Sequence, residues 1–153
     1  MWVAIVGSRD LGECPCSKTP KHFPPTQEEK EHAKRCPIMV EWQRMLDIVT
    51  RLAARPDFDG IVSGECPTGA DALAKRACRI LSVPYLGFPP KPGPEPFWQR
   101  AHARNQRIVN HSGMVVAVFS PGPRSPGTSD TLGRALSRGI PAHVYHSGRW
   151  SSE

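Results

Sequence analysis

The 153-residue chain has no apolar stretch longer than Met114 to Phe119, far short of the about 20 residues that a membrane-spanning helix requires. Its first residues lack the basic-then-apolar layout of a secretory signal, so a cytoplasmic protein without a membrane partner is expected. It also lacks any block of like charge. Lysine and arginine total 20 against 14 acids, a formal charge of +6 that favours anionic partners. The basic residues are scattered, which weakens the case for a dedicated nucleic-acid arm. An odd number of cysteines, five, argues against a complete disulfide framework and for reduced thiols or metal ligands. Internal repeats are missing as well, and the length suits one core rather than two. Neither a full G-x-G-x-x-G nor a Walker lysine motif is present, so NAD, FAD and P-loop nucleotide binding are not expected.

What is present alternates. Short apolar runs bounded by glycine or proline read as five strands: Trp2 to Val6, Ile61 to Ser63, Tyr85 to Phe88, Met114 to Phe119 and Ala142 to Tyr145. Between them lie helical patterns. Trp42, Met45, Leu46, Val49, Leu52 and Ala53 recur at three-and-four spacing and share one helix face. Thr68 with Asp71 reads as a capping box before the run Ala72 to Leu81, and Phe97 to Val109 and Leu132 to Arg138 supply two further helices. Parallel strands need crossover connections. The fold expected is therefore α/β, a Rossmann-like three-layer sandwich on a five-stranded, mostly parallel sheet. Residues 1–153 form a single domain, with an insertion at about 10–38.

In such sheets ligands sit outside the carboxyl ends of the strands, where the strand order reverses. The loops there are Gly7-Ser8-Arg9, the segment Ser63 to Gly69, and Pro121 to Ser129. All are rich in small or hydroxyl residues, and two run into helix N-termini. Exposed backbone amides and the helix dipole favour an anion at such places, and glycine admits close approach of a phosphate. Any one loop is explained by ordinary turn and cap chemistry; three converging on one sheet edge point to a phosphate-bearing ligand.

These motifs resemble the SLOG superfamily of Rossmann-like proteins, which includes the DprA and Lonely Guy proteins, and most closely its YspA-like branch. The resemblance rests on Gly7-Ser8-Arg9, Ser63-Gly64 with Thr68-Gly69-Ala70-Asp71, Arg104-Asn105 and Gly127-Thr128, and covers most of the chain outside residues 10–38. It implies a pocket for a nucleotide or nucleotide-derived small molecule. Gly7, Ser8 and Arg9 would lie near base or ribose, Gly64, Gly69 and Ala70 near phosphate, and Arg104 would act as a charged clamp. Glu65, Thr68, Asp71, Asn105, Gly127, Thr128 and Ser129 complete the expected ligand-binding set. Homo-oligomers remain compatible with this reading.

One departure bears on chemistry. The phosphoribohydrolase branch resembles a pattern with a glutamate at a fixed interval after glycine-threonine, where this chain carries Thr131. Asp130 is adjacent, but one residue along a helix turns a side chain by about 100 degrees. Glycosidic hydrolysis ordinarily relies on a carboxylate, so a sensor or accessory role is preferred. An N-glycosidic hydrolase and a single-stranded DNA binder are the alternatives.

The insertion carries Cys14-Pro15-Cys16, His22, His32 and Cys36. Thr26 and Glu29 make a capping box for a short helix over Gln27 to Arg35, on which His32 and Cys36 share a face. Cys14, Cys16, His32 and Cys36 fit a tetrahedral Cys₃His zinc site that would staple a segment too polar to have its own core. His22 is an alternative ligand, and an iron–sulfur cluster an alternative occupant. Cys66 reads as a small loop thiol and Cys78 as core packing.

Overall fold

The computed structural model describes residues 1–11, 26–33, 37–120, 125–146 and 149–152, without the side chains of residues 29, 32–33, 37–40 and 149–152. Six strands and five helices follow one another along these residues. They are β1 (Trp2–Gly7), α1 (Gln27–Ala33), α2 (Pro37–Ala53), β2 (Gly60–Ser63), α3 (Gly69–Leu81), β3 (Tyr85–Gly87), α4 (Phe97–His111), β4 (Met114–Phe119), α5 (Pro126–Ser137), β5 (Ala142–His146) and β6 (Arg149–Ser152). The sheet order is β3-β2-β1-β4-β5-β6. The first five strands in this order are parallel, as the apolar runs predict. The sixth was not expected: β6 returns antiparallel to β5, pairing Tyr145 with Trp150.

Both faces of the sheet are covered, which is why its strands read as unbroken apolar runs. β2 and β4 are buried along their whole length. On one face Val3, Ile5, Ile61 and Val116 pack with α2 and α3 residues such as Trp42, Val49, Ala74 and Cys78. On the other, Ala4, Val62, Val115 and Phe119 pack with Ile108 and Val109 of α4 and Leu132 and Ala135 of α5. The stripe on α2 is buried at Trp42, Met45, Leu46, Val49 and Leu52; Ala53, in its last turn, is exposed. Burial in this core pushes the Cys78 thiol up to about 12, so it stays a neutral packing group. Among the described residues, no helix is long and apolar enough to cross a membrane.

The topology fixes where a ligand can enter. From β1 the chain crosses to β2 and β3 on one side, then returns through α4 to β4 on the other side of β1. The strands therefore diverge at β1 and β4, and their carboxyl ends leave a crevice flanked by helix N-termini.

Candidate functional site

A cavity of about 570 Å³ occupies that crevice, within the size range of small-molecule sites. Its β1 wall is Gly7, Ser8, Arg9 and Asp10; its β2 wall is Gly64, Cys66 and Asp71; α4 supplies Arg104, Asn105 and Ile108; and the β4 side supplies Ser120, Ser125, Pro126, Gly127, Thr128 and Thr131. Of the residues singled out from sequence, Gly7, Ser8, Arg9, Gly64, Asp71, Arg104, Asn105, Gly127 and Thr128 meet here. Glu65, Thr68, Gly69, Ala70 and Ser129 do not line the cavity.

The first loop is a structural knot. The Ser8 amide donates to the Val118 carbonyl at 3.0 Å, its hydroxyl accepts the Ser120 amide at 3.1 Å, and its carbonyl accepts the Ala70 amide at 3.1 Å. Ala70, expected near phosphate, thus spends its amide on Ser8. Gly7 is confined between strands and helix, since a Cβ there would sit 2.7 Å from the Ala70 methyl and overlap the Val118 carbonyl. Gly69 adopts φ +77, and a Cβ would approach the Arg9 Cα at 2.5 Å. Among the described residues of this loop only Arg9 and Asp10 are exposed. Asp10 accepts the Ser120 hydroxyl at 2.8 Å.

The loop after β2 is turned inward on its own carboxylate. Thr68 stands at the N-cap of α3 in an extended conformation, but its side chain makes no capping bond. Asp71 does not complete the expected box either; its Oδ2 reaches back to accept the Cys66 amide at 3.1 Å. Desolvation raises the Asp71 pKa, opposed by the Cys66 amide, the Ser63 hydroxyl, the Arg104 guanidinium and the Gly64 amide. A carboxyl side chain of the protein thus already engages the backbone of the loop where an external phosphate was expected. Glu65 leaves the cavity altogether. It holds a left-handed φ of 61, a conformation costing a non-glycine residue about 1–2 kcal/mol, and its carboxylate accepts from Lys75 Nζ at 2.8 Å. That side chain crosses Gly87, where a Cβ would strike it. Desolvation raises the Glu65 pKa, but the hydrogen bonds from Lys75 and Tyr85 and the Lys75 charge together outweigh it, and the net shift is downward.

Arg104 and Asn105 bridge the two sides of the crevice. A solvated helix face is the ordinary place for such residues, yet both are buried. Arg104 Nη1 donates to the Gly64 carbonyl, and Nε donates to Asn105 Oδ1 at 2.9 Å. Gly64 must lack a side chain here, because a Cβ would stand 2.5 Å from Nη1 and 2.9 Å from Asp71 Oδ2. Asn105 Nδ2 in turn donates to Asp130 Oδ2 at 3.0 Å and faces the Gly127 carbonyl at 3.4 Å. Desolvation lowers the Arg104 pKa, partly offset by Asp71; an arginine nevertheless stays charged at neutral pH.

The last wall differs from expectation in where it begins. The helix read as starting at Leu132 starts at Pro126, so Gly127 and Thr128 lie in its first turn. Ser125 caps it: its hydroxyl oxygen accepts the Thr128 amide at 3.4 Å and its hydroxyl donates to Thr128 Oγ1 at 2.6 Å. The Ser125-Pro126 pair, a cap followed by proline at the first helical position, carried the signal for this start. Gly127 is exposed at the cavity edge, and none of the described residues comes within 4 Å of the place a Cβ would take. Thr131 is buried and donates its hydroxyl to the Gly127 carbonyl at 3.1 Å, so no acid occupies that position. Asp130 faces α4 instead, bound to Arg134 Nε at 2.9 Å; desolvation is outweighed by this bond and that of Asn105, and its pKa falls.

None of the four expected metal ligands has a described side chain. Cys14, Cys16 and Cys36, with the alternative His22, fall outside the described residues, as does the His32 side chain. Among the described residues no group of three or more His, Cys, Asp or Glu is arranged to hold a metal.

Fold and cavity together define the class: a Rossmann-like α/β protein with a ligand-sized crevice at its switch point. No protein-family model matches the chain, and no curated protein matches it.

Proposed function

We propose that this protein binds a nucleotide or nucleotide-derived phosphorylated ligand in the crevice, as a sensor or accessory protein. The observation that carries the reading is the buried Arg104 guanidinium lining a 570 Å³ cavity opposite the first turn of α5. An arginine fork and a helix N-terminus are both suited to phosphate oxygens. Arg9 adds a second cation at the rim, and Gly127 presents its backbone without a side chain in the way. The SLOG resemblance agrees with this assignment of the crevice.

Isothermal titration with adenosine monophosphate, diphosphate and triphosphate tests the reading. Saturable binding is expected, weakened about 10- to 100-fold by Arg104→Lys, which keeps the charge but removes the planar fork, given about 1.5–3 kcal/mol for a charge-assisted bond. Arg9→Ala, at an exposed position, is expected to weaken it less. Absence of binding by every phosphorylated compound would refute the proposal. Oligonucleotide affinity that exceeds nucleotide affinity and falls steeply with salt would favour the single-stranded DNA reading.

Asp71 favours a second reading, N-glycosidic hydrolysis, because it places a desolvated carboxylate of raised pKa on the cavity wall. A carboxyl group of raised pKa suits proton transfer to or from a bound substrate. Chromatography of nucleotide incubations decides it: released base that disappears with Asp71→Asn supports turnover, and intact nucleotide leaves binding alone.

A further inference from the structure

Phe97 and Trp98 are 52% and 58% exposed, neighbours in the first turn of α4. Their direction is fixed by the helix. Each stands seven residues, about two turns, before Arg104 and Asn105, so each lies close to the same helix face as its cavity-lining counterpart. Farther along that face Ile108 and Val109 are buried against the sheet. The face thus runs from the buried Ile108 and Val109 through the cavity-lining Arg104 and Asn105 to the two exposed rings. They stand about 10 Å further along the axis than Arg104 and Asn105, at 1.5 Å per residue.

The rings are braced rather than loose. Arg100 lies over Phe97 at 5.5 Å from its centroid, and His102 meets Trp98 edge-on at 5.7 Å. Arg100 is itself tied to the preceding loop, donating to the Glu95 carbonyl at 3.1 Å and the Lys91 carbonyl at 3.3 Å. An apolar, electron-rich surface two helical turns from the cavity-lining Arg104 and Asn105 complements a molecule with an anionic end and a flat aromatic end.

We infer that Phe97 and Trp98 form a stacking platform that selects the base of the ligand, whose phosphate end lies inward by Arg104 and the first turn of α5. This assignment rests on the phosphorylated-ligand reading of the crevice and adds to it the source of base selectivity. A nucleoside phosphate spans both features; inorganic phosphate and ribose 5-phosphate reach only the inner one.

Titration of wild type, Phe97→Ala and Trp98→Ala with adenosine monophosphate and ribose 5-phosphate separates the two claims. Both substitutions are at exposed positions and are expected to leave the melting temperature unchanged. Trp98→Ala is expected to weaken adenosine monophosphate about 5- to 150-fold, the loss typical of one base–aromatic stack, while ribose 5-phosphate binding stays constant. Equal affinity of wild type for the two compounds, or an equal loss for both in the variants, overturns the platform while the crevice reading stands. Failure of both compounds to bind wild type removes the crevice reading and the platform with it. Sedimentation of the same proteins covers the other occupant of an apolar surface: a wild-type dimer that Trp98→Ala dissociates assigns the rings to self-association and overturns the platform.

Discussion

The two helix starts on either side of the crevice look alike in sequence and behave differently. Each follows a buried strand through a short loop rich in glycine, serine or threonine and proline. At α3 the loop folds onto Asp71, the Ala70 amide is taken by Ser8, and the hydroxyl at the cap position makes no capping bond. At α5 the cap hydroxyl is engaged, the acid two residues after Thr128 faces another helix, and the first turn borders the cavity. A loop that supplies its own carboxylate has already satisfied the amides an anion would want. Only the loop whose acid is drawn elsewhere turns its helix start to the cavity.

The sharpest way to break this comparison is to add one methyl group to each side. Gly69→Ala must hold a left-handed backbone and displace Ser8 and Arg9, so a loss of about 2–4 kcal/mol is expected from strain and overpacking together. Gly127→Ala meets nothing within 4 Å among the described residues and is expected to change stability by under about 0.5 kcal/mol. Urea denaturation of the pair measures both, and equal losses would end the claim that one loop is closed and the other open.

A smaller contrast comes from the caps. Ser125→Ala removes a bond that the α5 terminus uses, at a cost of about 1 kcal/mol. Thr68→Ala removes a hydroxyl that caps nothing, and its expected effect lies within about 0.5 kcal/mol. Matching losses in thermal melts would mean that Thr68 does cap α3 in solution.

The smallest effect, and the most specific, is in pH dependence. Asp71 has a raised folded pKa, so the folded state holds its proton more tightly than the unfolded chain. Its contribution is fully present below the unfolded carboxylate value and is lost as pH rises through the folded one. Asp130 is lowered, so its contribution is present above the unfolded value and is lost as pH falls through the folded one. Stability measured across the acid range is therefore expected to lose a downward slope with pH in Asp71→Asn and an upward slope in Asp130→Asn. Slopes of the same sign in both variants would contradict the assignment.

The comparison also shows what could be read from sequence. The five parallel strands were legible because a doubly covered strand must be apolar throughout, a property visible in Ile61 to Ser63 or Met114 to Phe119 alone. The α2 stripe was legible for the same reason, until its last turn passed beyond the core at Ala53. β6 was not, because Arg149–Ser152 has no apolar pattern and is a strand only by pairing with β5. At the site, the crevice and most of its walls followed from topology. Glu65, Thr68, Gly69, Ala70 and Ser129 were expected there from the family resemblance and from their places in the loops, but the cavity wall does not include them.

The amino-acid order alone determined which segments are buried, where they turn, and that several small-residue loops end at one sheet edge, since apolar periodicity and turn chemistry act over a few residues. Tertiary structure decided the destination of each polar group: that Asp71 turns to Cys66 rather than to its helix cap, that Arg104 is buried across the crevice against Gly64, and that Asp130 leaves the cavity for Asn105 and Arg134. A hydrogen-bonding group takes the best partner within about 3 Å, and in a folded chain that partner often comes from an element distant in sequence.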